Sequence, residues 1–193
     1  MKIVAIIQAR MGSIRLPGKV LKKIGNKNLI EIILERLSHS NEINEIVVAT
    51  SVDSKNDVLQ KFVESLNYNC FRGSEKDVLE RYFMCAERFN ADAVVRITGD
   101  CPLVDAELVD DLIMQFKKSN VDYFSNVEPS TFPDGLDIEI ISFDALKKAH
   151  LIARSEYDRE HVTPLIRKSD DFSRSSYKYS EDLSNKRWSV DEE

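Results

Sequence analysis

Residues 1–27, MKIVAIIQARMGSIRLPGKVLKKIGNK, decide the fold. Ile3-Val4-Ala5-Ile6-Ile7 is an unbroken apolar run, which reads as a strand buried on both faces of a covered parallel sheet. A loop follows with Gly12, Ser13, Pro17 and Gly18 as its turn residues, and it carries Arg10, Arg15 and Lys19. Lys2, Lys22, Lys23 and Lys27 flank it, and no Asp or Glu occurs before Glu31, although the chain as a whole has a net charge of −6. A basic, glycine-containing loop at the C-terminal end of a buried strand is where open α/β sheets hold phosphates. It is not a Walker A loop: five residues separate Gly12 from Gly18, Pro17 lies among them, and Val20 follows Lys19. The pattern GxGxxG is absent too. The bland alternative is a solvated basic turn.

The remainder alternates between strand and helix patterns. Residues 28–38 place Leu29, Ile30, Ile33, Leu34 and Leu37 on one helical stripe, and residues 45–50 read as a second buried strand. Ser54-x-x-Asp57 reads as a capping box, opening a helix with Val58, Leu59, Phe62, Val63 and Leu66 inward. Residues 68–71 form a short strand, and Ser74-x-x-Asp77 caps a helix that buries Val78, Leu79, Tyr82, Phe83, Ala86 and Phe89. Residues 92–98 are a strand, and Asp105 starts a helix. Such alternation predicts an α/β domain with a largely parallel sheet covered on both faces. The second half differs. Residues 121–126 read as a strand and 127–135 as a loop. Leu136-Asp137-Ile138-Glu139-Ile140 alternates, putting Asp137 and Glu139 on one face of a strand. Residues 142–153 and 155–168 read as helical, the latter broken near Pro164, and residues 172–179 and 186–191 as strands.

With 193 residues, 42% hydrophobic and 31% charged, the chain suits one sizeable domain of a cytoplasmic protein. It has no run of 18 apolar residues to cross a membrane, and its N-terminal apolar run is too short for a signal peptide. Cys70, Cys85 and Cys101 are odd in number and lack CxxC spacing, which argues against disulfides or a zinc site. A pI near 5.2 disfavours nucleic acid as a partner, and the local basic cluster favours a small anion.

Gln8-Ala9-Arg10-Met11-Gly12-Ser13-Ile14-Arg15-Leu16-Pro17-Gly18-Lys19 resembles the N-terminal motif of the cytidylyltransferases that activate acidic sugars such as KDO and acylneuraminate. The similarity is greater still to the spore-coat polysaccharide branch, and it continues through most of the chain. It implies a nucleotide-diphospho-sugar transferase fold, a GT-A or Rossmann-like three-layer sandwich with a mostly parallel mixed sheet. The loop would wrap the triphosphate of CTP through Gln8, Ala9, Arg10, Gly12, Ser13, Arg15 and Lys19, with Thr50 close by. An acidic or phosphorylated sugar would attack the α-phosphorus and release pyrophosphate, on the way to a surface polysaccharide.

Several other stretches carry candidate residues. Thr98-Gly99-Asp100-Cys101-Pro102 ends a strand, which suits a carboxylate facing a ligand. Magnesium is commonly held by one or two carboxylates plus phosphates, and the resemblance makes Asp100 its first ligand and Asp191 its second. Arg10, Arg15, Lys19 and Asp100 are the expected catalytic set. Arg72-Gly73-Ser74-Glu75-Lys76-Asp77-Val78-Leu79 resembles a branch element that puts Gly73 and Asp77 near the nucleotide, beside the plainer reading of Ser74 and Asp77 as a capping pair. Asp134, Asp137 and Glu139 suit sugar recognition, against a solvated sheet face. Arg159 and His161, in a stretch resembling Glu-Arg-Glu-His-Val-Thr-Pro, are expected near the substrate, against a structural ion-pair network. Residues 125–168 are expected to form a symmetric homodimer. Relatives continue a few dozen residues beyond the position of Asp191, so the resemblance implies a piece of a longer protein or a missing terminal helix. The rivals are a glycosyltransferase of the same fold, which commonly uses an Asp-x-Asp that the first 125 residues lack, and a non-catalytic nucleotide-binding domain.

Overall fold

A computed structural model of the chain describes residues 1–13 and 15–192. In order come β1 (Ile3–Gln8), a 3-10 turn (Lys19–Leu21), the small hairpin β2 (Lys23–Ile24) and β3 (Lys27–Asn28), α1 (Leu29–Leu37), β4 (Glu45–Ser51), α2 (Asp57–Ser65) and β5 (Asn69–Gly73). Then follow α3 (Val78–Arg88), β6 (Ala93–Thr98), α4 (Ala106–Ser119), β7 (Tyr123–Ser125), β8 (Glu139–Ser142), α5 (Phe143–Ile152), α6 (Glu156–His161), α7 (Pro164–Lys168) and β9 (Arg174–Ser176).

Seven strands form one sheet in the order β5-β4-β1-β6-β8-β7-β9, with only β8 antiparallel to its neighbours. The apolar run of β1 is wholly buried and divides by parity. Ile3, Ala5 and Ile7 pack with α1, α2 and α4 on one face, and Val4 and Ile6 with α3 and α5 on the other. The result is the expected three-layer, mostly parallel mixed sheet. From β1 the chain moves outward to β4 and β5, whereas β6 lies on the other side of β1. This reversal opens a crevice at the C-terminal ends of β1 and β6, where such sheets bind ligands.

The structure departs from the sequence reading in identifiable ways. α2 is preceded by a 3-10 turn (Ser54–Asn56) capped by Asp53, which accepts from the Lys55 amide, so Ser54 and Asp57 do not form a capping box. Val58 is 52% exposed, since only Leu59 and Val63 of α2 are buried. β8 starts at Glu139, leaving Asp137 just outside it. Residues 186–191 form no strand, and residues 23–28 form the β2–β3 hairpin, which the sequence pattern does not predict. Phe132 is buried, stacked on Tyr177 and tilted against Tyr179 of the same chain, whereas Leu151 and Tyr157 are more than half exposed. Among the described residues no helix is long and apolar enough to cross a membrane.

Candidate active site

The basic loop is tied down at several points. The amide of Gly18, a residue with φ +69°, donates to the Met11 carbonyl at 3.0 Å and closes the loop on itself. The Met11 amide donates at 2.8 Å to Oδ1 of Asn56, a fully buried residue whose Nδ2 reaches Ser51 Oγ at 2.7 Å. Across the crevice the Gly99 amide meets the Gln8 carbonyl at 2.8 Å. A Cβ at Gly99 would lie 2.9 Å from that oxygen and 3.0 Å from Ala9 Cβ, so only glycine permits this approach. Between the strand ends lies a cavity of about 320 Å³ lined by Gln8, Ala9, Arg10, Ser13, Arg15, Lys19, Thr98, Gly99, Asp100 and Asp191, with Val20.

Each cation of the loop is held by a carboxylate. Lys19 Nζ lies 2.8 Å from Asp100 Oδ2, 2.8 Å from Asp191 Oδ1 and 3.1 Å from the Val190 carbonyl. Arg15 reaches Asp191 Oδ2 at 3.1 Å, and Arg10 reaches Glu75 Oε1 at 3.1 Å. Burial works against the Lys19 charge, but its two carboxylate partners outweigh it and raise the pKa above the usual lysine value. For Asp191, burial pushes upward, while hydrogen bonds from Lys19 and Arg187 prevail and bring it to about 2. Asp191 is therefore ionised at neutral pH. Burial pushes the Cys101 thiol up, leaving it a poor nucleophile.

Asp191 reaches the site on a strap, residues 186–191. The Asp134 amide donates to the Lys186 carbonyl, the Trp188 amide donates back to the Asp134 carbonyl, and the Val190 amide donates to the Asp100 carbonyl at 2.8 Å. Ser189 Oγ donates to Asp134 Oδ2 at 3.0 Å, and Arg187 bridges Asp134 and Asp191. Gly135, at φ +106°, lies under the strap, where a Cβ would come within 2.7 Å of the Trp188 carbonyl carbon.

Beside the first cavity is a second, of about 210 Å³, lined by Arg96, Thr98, Asp137, Glu139, His161 and Thr163 among others. Glu139 is almost fully buried. It takes Arg96 Nη1 at 2.6 Å, Tyr123 Oη at 2.8 Å and Thr163 Oγ1 at 2.9 Å. His161 and Thr163 flank Val162, a fully buried β-branched residue at φ +72°, ψ −55°, around which the Thr163 amide donates to the His161 carbonyl. Such a turn costs on the order of 1–3 kcal/mol and persists only where its surroundings enforce it.

The expected residues thus divide. Gln8, Ala9, Arg10, Ser13, Arg15, Lys19, Asp100 and Asp191 meet around the first cavity; Asp137, Glu139 and His161 meet around the second. Gly12 packs against the Lys55 side chain and Gly73 against Arg81. Thr50 is fully buried, and the buried atoms Thr50 Oγ1 and Gln8 Oε1 have no hydrogen-bond partner among the described residues. Asp77 caps α3, accepts from the Glu80 amide and pairs with Arg159, which also reaches the His150 carbonyl, so these two residues serve each other. Asp134 anchors the strap. Sequence reasoning passed over Asn56, Arg187 and Arg96. Of these, only Arg96 carried a signal, as a charge inside the apolar run 93–98.

Among the described residues no three His, Cys, Asp or Glu side chains cluster as a metal site. Asp100 and Asp191 nevertheless aim an oxygen each at one cation, the Lys19 ammonium. Two hard carboxylates plus substrate phosphates suit a magnesium ion.

A reversed-order sheet with a cationic loop over its switch-point crevice is the architecture of a nucleotidyltransferase. The cytidylyltransferase family profile matches residues 4–190, and the chain belongs to that family. It is 46% identical over 166 residues to an uncharacterized protein of Methanocaldococcus jannaschii, covering 86% of this chain and 67% of that one. It is 36% identical over 170 residues to the spore coat polysaccharide biosynthesis protein SpsF of Bacillus subtilis, covering 86% and 70%. A solved cytidylyltransferase from Leptospira borgpetersenii superposes with a TM-score of 0.95 at 35% identity, covering 99% of this chain and 82% of that one.

Proposed function

We propose that the chain transfers the cytidylyl group of CTP to a sugar oxygen, releasing pyrophosphate, in the making of a surface polysaccharide. The observation that carries this reading is Lys19, fixed between Asp100 and Asp191 in a cavity that Arg10 and Arg15 also line. Arriving triphosphate oxygens compete for these three cations, whose positions are set beforehand by carboxylates and by the pinned loop. Their charge then offsets the charge that builds on the phosphate oxygens at the transition state. Asp100 and Asp191 would hold magnesium, which supplies Lewis-acid neutralisation of the phosphates. Gln8, which lines the first cavity and has a buried oxygen without a partner among the described residues, is a candidate for a further polar contact to the nucleotide. The second cavity, sharing Thr98 with the first, is the place for the sugar.

Titration calorimetry with CTP, followed by measurement of pyrophosphate release with CTP, magnesium and sugar acids, tests the reading. CTP binding and sugar-dependent pyrophosphate are expected. Absence of CTP binding overturns it, and binding of sugar nucleotides alone points to a glycosyltransferase. The exposed Leu151 and Tyr157 support assembly as a homodimer through residues 125–168.

A further inference from the structure

The second cavity contains a carboxylate with no partner among the described residues. The antiparallel register of β6 and β8 sets Arg96 opposite Glu139. Asp137, two residues before Glu139, lines the second cavity together with Thr98, the residue common to both cavities. Both arginines of the second cavity are already matched, Arg96 by Glu139 at 2.6 Å and Arg167 by Glu128 at 2.8 Å. Glu139 is itself fully engaged by Arg96, Tyr123 and Thr163. Asp137, half-buried on the same wall, has no hydrogen bond or ion pair with any described residue. A carboxylate partly shielded from water and without a partner is available to a ligand.

We propose that Asp137 accepts the proton of the acceptor hydroxyl as that hydroxyl attacks the α-phosphorus. This rests on the cytidylyl-transfer reading above. The hydroxyl oxygen forms the new bond to phosphorus, and its proton passes to an Asp137 carboxylate oxygen. The bond from the α-phosphorus to its bridging oxygen breaks, and pyrophosphate leaves with the electron pair. The setting matches the task. Burial first, then the charges of Asp134 and Glu139, raise the Asp137 pKa to about 6 against the opposing pull of Arg96 and Arg167, with His161 on the same cavity. Asp137 is then ionised at neutral pH yet more basic than an ordinary aspartate. A base here also bears on the acceptor. A sugar phosphate attacks through an oxygen that is already ionised and needs no base. The acceptor class is therefore a sugar attacking through a free hydroxyl.

The test compares wild type, Asp137→Asn and Asp137→Glu with CTP, magnesium and two acceptor sets, 3-deoxy-2-ulosonic acids and aldose 1-phosphates. Turnover of the hydroxyl set alone is expected. Asp137→Asn should lower kcat by roughly 10²–10⁴-fold with CTP affinity unchanged, and should lose the acid limb near pH 6 in the kcat/KM profile. Asp137→Glu should keep part of the rate. Unchanged kcat or a retained acid limb in the Asn form overturns the proposal, as does turnover of the phosphates alone or of neither set. Failure of the cytidylyl reading would show separately, as a wild-type protein that does not bind CTP.

Discussion

The ammonium of Lys19 stands 2.8 Å from Asp100 and 2.8 Å from Asp191, so one side chain of the N-terminal loop ties together carboxylates from the turn after β6 and from the strap. Lys19→Ala removes the charge and leaves the two aspartates facing each other. CTP affinity should fall by about 1.5–3 kcal/mol, the usual worth of a charge-assisted contact, or roughly 10- to 150-fold by calorimetry. Arg15→Ala should lose less, because that side chain is 58% exposed and screened by water. Equal affinity in both variants and wild type would remove the loop from the binding site.

Asp100→Asn keeps the shape of the side chain and deletes its charge. Magnesium-dependent pyrophosphate release should collapse, while the thermal midpoint moves by no more than a few degrees, because no cavity is opened. An Asn form with full turnover would make Asp100 an ordinary turn residue.

Asp137 predicts a pH-dependent trade. Unfolded, its carboxyl ionises at the ordinary 3.8; folded, at about 6. Folding therefore favours the protonated form, and the stability this contributes is complete below pH 3.8 and lost as pH rises through about 6. Asp137→Asn should consequently be more stable than wild type at pH 7–8, on the order of 1–2 kcal/mol after solvent screening. Denaturation at pH 4 should show the difference gone. An Asn form less stable at both pH values would contradict this account.

Gly135→Ala sets a methyl group against the backbone of Trp188 at a φ of +106°. The strap should lift, costing on the order of 1–3 kcal/mol and displacing Asp191. Limited proteolysis should then cut near residue 188 while the sheet stays protected. An unchanged cleavage pattern would show that the strap tolerates the change.

Light scattering at micromolar concentration tests assembly. A mass about twice that of the chain is expected, and replacing Leu151 and Tyr157 by Ser should shift it to the monomer. A monomeric wild type removes the dimer.

How much of this the sequence showed depended on the range of the interaction. β1, β4 and β6 were plain because burial on both faces leaves apolar runs. The loop announced itself by charge. β2 and β3, of two residues each, are shorter than any period can register. Residues 186–191 look like a strand because they are extended, but they bond to Asp134 and Asp100 rather than to a ladder. Glu139 and Asp137 were indistinguishable as letters, and only Arg96 across the β6–β8 pair separates the committed carboxylate from the available one. Asp77 and Arg159, 82 positions apart, find each other only in the fold.

The 172 positions between Lys19 and Asp191 also set an order of events. In chain order every strand through β9 is complete by Ser176, and the strap comes after it. A nascent chain at that point holds the loop and Asp100, but Lys19 has only one counter-charge and the second carboxylate does not exist. Such a chain can complete its sheet and remain inert. On the proposed function, competence needs the strap, so a product cut short before Asp191 would compete for nucleotide without spending it.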